Sequence, residues 1–200
     1  MIRLTGEMLR EICPQATNKA CELFAPYINE GVKKYGIYDK EVFSAFLAHI
    51  IHESGGFKYV REIWGNTSWQ VRYERDFKEA WEATLKPKDR NYTAYNLGNN
   101  EIGDGKRFMG RGLLQITGKS NYRACSIGIW GDLRLLESPS ILEAPEYAVS
   151  SAFWYCFDFR KLTREFKTLN MKDDTKKING IAMLGLSERI NIRNNALKVL

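Results

Sequence analysis

Between Asp39 and Gly56 an apolar run of helical period ends in a carboxylate and two glycines, and this stretch constrains the chain more than any other. Val42, Phe43, Phe46, Leu47, Ile50 and Ile51 share one face at helical spacing, and Asp39 is placed to accept from the first free N–H groups. A helix with so broad an apolar face has to be covered by other elements. Glu53 continues the stripe of Phe46 and Ile50, so its carboxyl group lies in line with the buried side. Gly55-Gly56 stops the helix directly behind it. The helix macrodipole and partial burial both favour a protonated carboxyl there, the form in which a general acid acts.

The flanking sequence predicts more helices. Thr5 caps a short one carrying Met8, Leu9 and Ile12, which stops near Pro14. Cys21, Phe24, Ile28 and Val32 mark a second, ended by Gly36. Later in the chain Ser120–Ile127 is a short candidate. Pro145 opens a stronger one with Ala148, Val149, Ala152, Phe153, Cys156 and Phe157 on one face, and Ser187 is placed to cap a last helix to Leu200. From Gly55 to about Gly112 the period is lost among Gly, Asn, Asp and aromatic residues, with a short charged helix expected at 76–90 (Phe77, Trp81 and Leu85 are four apart) and a small hairpin admitted. So long an irregular segment between helices points to function, and its aromatic content argues against disorder. The expectation is one mainly α domain over residues 1–200, with a small lobe at about 55–112 that admits some β structure and no separate wall-binding module.

The 200 residues carry a formal net charge of +6, which implies an anionic partner: nucleic acid, membrane surface or anionic polysaccharide. No apolar stretch reaches the length of a membrane span, and the first residues lack the apolar run of a signal peptide, so synthesis in the cytoplasm is expected. Cys13, Cys21, Cys125 and Cys156 form no C-x-x-C pair and read as free thiols. His49 and His52 stand three apart with Glu53 adjacent, which is no standard zinc motif; neither a metal nor a cofactor is expected. Gly118-Lys119-Ser120 lacks the spacing of a phosphate loop.

Hydrolysis of a glycosidic bond needs a second carboxylate across the scissile bond from the acid, and Glu62 and Glu74 lie in the irregular segment just after Glu53. Three motifs bear on this reading. His52-Glu53-Ser54-Gly55-Gly56-Phe57 resembles the acid-bearing motif of glycoside hydrolase family 19 chitinases and of the phage endolysins that share their fold. Phe108-Met109-Gly110-Arg111-Gly112-Leu113-Leu114-Gln115-Ile116-Thr117-Gly118, followed by Asn121-Tyr122, is similar to the second signature of that family. Lys177-Ile178-Asn179-Gly180, with Gly185-Leu186 and Arg189 after it, is similar to the third. The resemblance runs from about residue 5 to the end. Tyr59-Val60-Arg61-Glu62-Ile63-Trp64-Gly65 and Arg72-Tyr73-Glu74 look like endolysin sequence rather than plant chitinase.

The resemblance implies a lysozyme-like, family 19 chitinase-like fold with two lobes around a substrate cleft. It implies cleavage of β-1,4 links in peptidoglycan, by inversion as the family default. Glu53 falls on the general acid; Glu62 is preferred as the second carboxylate, with Glu74 carried beside it. Gln115 and Thr117 match positions that hold substrate or the attacking water, Asn121 and Tyr122 line the cleft, and Asn179 and Arg189 match a polar cluster on its far side. His52 is expected to hydrogen-bond near Glu53, and Arg111 either to organise the cleft carboxylates or to form a structural ion pair. Two departures stand out: Ile181 follows Gly180 where the family usually has a second glycine, and residues 75–97 look longer than in compact endolysins. Trp81 in that insert is expected to pack it onto the body.

The expected enzyme is therefore a monomeric endolysin-type muramidase that acts on peptidoglycan, binds no nucleic acid, inserts into no membrane, and reaches the periplasmic wall after release through a pore-forming holin. Alternatives are a lytic transglycosylase, which needs only one catalytic Glu, a chitinase, and a non-catalytic basic module binding wall polymer or nucleic acid.

Overall fold

In a computed structural model, which describes residues 3–168 and 170–200, apolar stripes and side-chain caps build the first three helices. Thr5 accepts from Met8 N at the start of α1 (Gly6–Ile12), and Thr17 accepts from Ala20 N at the start of α2 (Asn18–Tyr35). Asp39 accepts from Glu41 N and Val42 N at the start of α3 (Lys40–Glu53). Val42 to Ile51 are all buried, so α3 is covered on every side and forms the axis of the main lobe. Around it lie α9 (Pro145–Phe153), a π-helical turn that prolongs it (Trp154–Phe159), α10 (Thr163–Lys167), α11 (Met171–Asn179) and α12 (Leu186–Val199). Phe46 stands 4.2 Å from the Phe153 ring and 5.6 Å from that of Phe157, and Tyr35 of α2 stacks on Phe153 at 5.5 Å.

A second, smaller cluster joins Phe108, Ile116, Tyr122, Cys125, Leu135, Leu142 and Trp154. It is built on α7 (Lys119–Trp130) and α8 (Arg134–Glu137), with Trp154 reaching over from the main lobe. Three short helices, α4 (Ser68–Val71), α5 (Tyr92–Leu97) and α6 (Asp104–Arg107), lie in the irregular segment. No helix among the described residues is long and apolar enough to cross a membrane. All four cysteines are buried and free.

Three expectations are corrected. Residues 76–90 form turns and no helix, because Asn91 gathers their backbone: its amide donates to the carbonyls of Asp76, Glu79 and Ala80 and its oxygen accepts from Asp76 N. Those carbonyls are thereby withdrawn from a helical ladder. In place of a hairpin there are two isolated bridges, Arg61 with Arg111 and Arg111 with Ile116. The last helix is entered through Gly185, at φ 73°, and Ser187 lies inside it. Trp81 does pack the insert down, edge-on to Tyr95 at 5.1 Å and against the Arg75 guanidinium.

Phe46→Ala removes the ring at the centre of the main lobe. It is expected to lower unfolding free energy by about 3–5 kcal/mol, read as a shift of the urea midpoint with the slope unchanged.

Candidate active site

Glu53 is the last residue of α3, and the three residues behind it explain the motif that carries it. The Ser54 hydroxyl donates to Ile50 O at 2.6 Å and accepts from Phe57 N at 2.9 Å. Gly55, Gly56 and Phe57 then follow with φ of 58°, 72° and 65°. Two consecutive left-handed residues favour glycine. The third, Phe57, is held in that region by stacking on Phe24, with ring centroids 5.1 Å apart. This tight reversal turns the chain back so that residues 59–64 run beside the middle motif.

The Glu53 carboxylate is one-fifth exposed and is held from two elements. Asn179, at the end of α11, donates its amide to Oε1 at 3.3 Å, and Arg189 of α12 pairs with the same oxygen. Arg189 is fully buried, and its other terminal nitrogen lies 2.9 Å from His49 Nδ1. A guanidinium only donates, so Nδ1 is the acceptor and the ring carries its proton on Nε2. That Nε2 faces Asp174 Oδ2 at 3.5 Å, an electrostatic contact too long for a full hydrogen bond. Burial pushes the His49 imidazole below the usual histidine range; Arg189 adds to this, and Asp174 opposes it.

Glu62 lies where the returned segment meets the middle motif. Its backbone N–H donates to Gly110 O at 2.8 Å, and Gly110 N donates back to its Oε2 at 3.1 Å. Gln70, buried in α4, donates to Oε1 at 2.9 Å while its own oxygen accepts from Gly65 N and Thr67 N. Burial raises the Tyr73 phenol, and the nearby Glu62 charge raises it further. Glu62 lines a groove of ≈ 580 Å³ together with Lys58, Arg61, Trp64, Lys106 and Met109. Glu74 is placed differently. Both its oxygens accept backbone N–H groups at the start of α6, from Gly103 at 3.1 Å and Lys106 at 2.9 Å, so it serves as a helix cap.

The middle motif bends tightly, and glycine is required at its end: Gly118 has a φ of 92°, and a Cβ there would stand 2.8 Å from the backbone oxygen of Leu97. Gln115 (φ 51°) donates its amide to Gly112 O, and the Thr117 hydroxyl donates to Gln115 O. Gln115, Thr117 and Asn121 line one cavity of ≈ 170 Å³ with Leu114, Trp154, Tyr155 and Ile178. Burial raises the Tyr155 phenol, and the Arg160 charge opposes the rise.

Three positions, Tyr122, His52 and Arg189, depart from their expected placement, and Arg111 falls within its own. Tyr122 is wholly buried, with its hydroxyl donating to Met109 O, so it belongs to the small-lobe core and not to the cleft surface. Arg111 is buried beneath the motif, bonded to Tyr122 and Arg107 O on the core side and to Glu143, which lines the groove beside Glu62, on the other; it combines the two roles considered for it. His52 pairs with Glu188 of α12 at 2.8 Å rather than with Glu53, over Gly185, where a Cβ would meet its ring. Arg189 has no exposed surface and reaches ligand only through Glu53. Among the described residues no group of three or more His, Cys, Asp or Glu is placed to hold a metal ion.

No family model matches the chain. A glycosyl hydrolase family 19 domain-containing protein of Haemophilus influenzae is 33% identical over 177 residues, spanning 82% of this chain and 83% of its own. The chain belongs to glycoside hydrolase family 19. Endochitinase 1 of Theobroma cacao is 32% identical over 117 residues, though the match spans only 32% of its length. Chitinase C of Streptomyces griseus superposes over 98% of this chain and 91% of its own with a TM-score of 0.68 at 17% identity, and a second bacterial family 19 chitinase with 0.67 over 99% and 95%. The mainly helical family 19 fold is thus shared across distant sequences.

Within this family 19 site, sequence reasoning overlooked Gln70, Tyr155, Glu143 and the pair His49–Asp174. Gln70 had a local signal, the Thr67-x-x-Gln70 capping box, in which its amide also reaches Glu62. The others join segments more than thirty residues apart and carry no local signature.

Glu62→Gln and Glu74→Gln separate the two carboxylates. The first is expected to reduce turnover about 10²-fold or more at unchanged fold, the second to leave turnover within about threefold while lowering stability by about 1 kcal/mol; kinetics and thermal melts of both variants check this. A second prediction concerns pH. In the unfolded chain His49 takes up a proton near pH 6.5, and in the folded chain only at lower pH. Its contribution to stability is therefore complete above about pH 6.5 and is lost as pH falls below that value. His49→Gln should flatten that part of the stability–pH curve relative to wild type.

Proposed function

We propose that this family 19 enzyme is an endolysin-type peptidoglycan hydrolase, with Glu53 as general acid and Glu62 as the base that activates water, acting with inversion. The observation that carries the choice of substrate is the groove beside Glu62. Lys58, Arg61 and Lys106 line it, and Glu143, the acidic residue that shares it with Glu62, is held by buried Arg111. Peptidoglycan carries free carboxylates on its stem peptides, whereas chitin is neutral, so a groove whose Lys58 and Lys106 stand beside the Arg61–Glu143 pair favours the former. The net charge of +6 and the endolysin-like stretches around Glu62 and Tyr73 agree with this. Glu62 also argues for hydrolysis over lytic transglycosylation, since a water attacking from the opposite face needs its own base, whereas in transglycosylation a single Glu can give its proton to the leaving oxygen and then take one from the sugar's own hydroxyl. The reading carries with it a monomer that reaches the wall through a pore made by another protein.

Chitin is the second reading, favoured by the endochitinase and chitinase names of several relatives. Mass spectrometry of fragments released from purified peptidoglycan and from chitin oligosaccharides distinguishes the two. Wild type is expected to release reducing muropeptides, and Glu53→Gln to lose about 10²–10⁴-fold of that activity. The double variant Lys58→Glu/Lys106→Glu should lose about tenfold on peptidoglycan at low salt and nothing on neutral oligosaccharides. Release of chitin fragments alone would sink the wall assignment, and anhydro-muropeptides would replace hydrolysis by transglycosylation.

A further inference from the structure

His49 sits one helical turn before Glu53, fully buried, with its ring stacked on Phe166 at 5.5 Å. Nothing in the acid–base chemistry uses it directly. The charged groups that face it are Glu53 from its own helix, Asp174 from α11 and Arg189 from α12, with Arg193 one turn further along α12 and also buried. Arg193 is anchored separately, donating to the carbonyls of Thr168 and Phe166. Two cations and two carboxylates thus balance around a neutral imidazole, and a proton added to His49 would leave a buried positive charge without a partner.

The geometry around Arg189 shows what the imidazole does. Its Nε makes no hydrogen bond among the described residues, so its two terminal nitrogens alone fix the plane of the head group. One donates to His49 and the other to Glu53. A guanidinium is a rigid planar fork, so anchoring one prong aims the other. We propose that His49, oriented by Asp174, is a positioning residue: by accepting from Arg189 it aims that guanidinium at Glu53 and so sets where the acid's carboxyl group stands. Protonation of His49 would turn its accepting nitrogen into a donor facing a donor, and the aim would be lost on the acid side of the pH profile. This inference rests on Glu53 being the general acid.

The experiment compares His49→Leu, His49→Gln and Glu53→Gln on whichever polymer wild type cleaves. Leucine supplies neither contact; glutamine supplies an accepting oxygen for Arg189 and a donating amide for Asp174, and does not titrate. His49→Leu is expected to lower kcat on the order of 10- to 100-fold with KM within about twofold. His49→Gln should keep kcat within about threefold and move the acid limb of the kcat profile to lower pH. A folded His49→Leu with wild-type kcat overturns the proposal. Should that variant fail to fold, His49→Gln decides, and a loss of kcat beyond about tenfold in a folded His49→Gln, which still offers Arg189 an accepting oxygen, overturns it. Loss of activity in Glu53→Gln beside full activity in His49→Leu removes this inference alone. Full activity in Glu53→Gln removes the general-acid assignment and the inference with it.

Discussion

The charge pair between Arg189 and Glu53 organises the molecule around it. It joins the end of α3 to α12, and it places a guanidinium with no exposed surface inside a helical core. Taking a guanidinium and a carboxylate out of water costs several kcal/mol per ion unless each finds partners. Here His49 of α3 accepts from Arg189 and Asn179 of α11 donates to Glu53, with Asp174 of α11 behind His49 and a second buried cation, Arg193, nearby on α12. Such a cluster is weak evidence for stability. Well-packed apolar side chains of the same volume would satisfy the core at least as well.

The two candidate carboxylates are held in different ways, and the difference suits their proposed work. Glu53 is at the end of a long buried helix, gripped by charged and amide groups from distant segments. Glu62 is on a loop edge, gripped by one backbone N–H and by Gln70, a side chain eight residues on. The glycine turn after Glu53 connects the two by reversing the chain within a few residues, so the motif that bears Glu53 also brings Glu62 against the middle motif. Glu74 stands in the same irregular segment, but its oxygens accept from Gly103 N and Lys106 N at the start of α6, whereas Glu62 lines the groove.

Much of the fold could be read locally. The helices starting after Thr5, at Asp39 and at Pro145 follow from caps and apolar stripes and appear where expected. α11 escaped notice because its buried stripe is Met171, Asp174 and Thr175, two of them polar, so apolar periodicity gave no signal there. The charged run at 76–90 looked helical and is not, because Asn91 competes for its carbonyls from outside the run. Tyr122 and Arg111 sit in a functional motif and serve the small-lobe core beneath it; a motif records that residues are needed without saying on which side of the backbone they work.

By itself the sequence determined the helical architecture and put Glu53 at the end of a buried helix before a glycine turn, since each rests on residues adjacent or one turn apart, where backbone geometry dictates who meets whom. Only the tertiary structure decided which carboxylate stands in the groove and that His49 lies behind Arg189. It also decided that His52 turns away to Glu188 and that the cations beside Glu62 share one surface. Those relations join α3, α11 and α12, or residues 58–64 and 106–143, and burial selects among such distant pairings only once the chain has closed around its core.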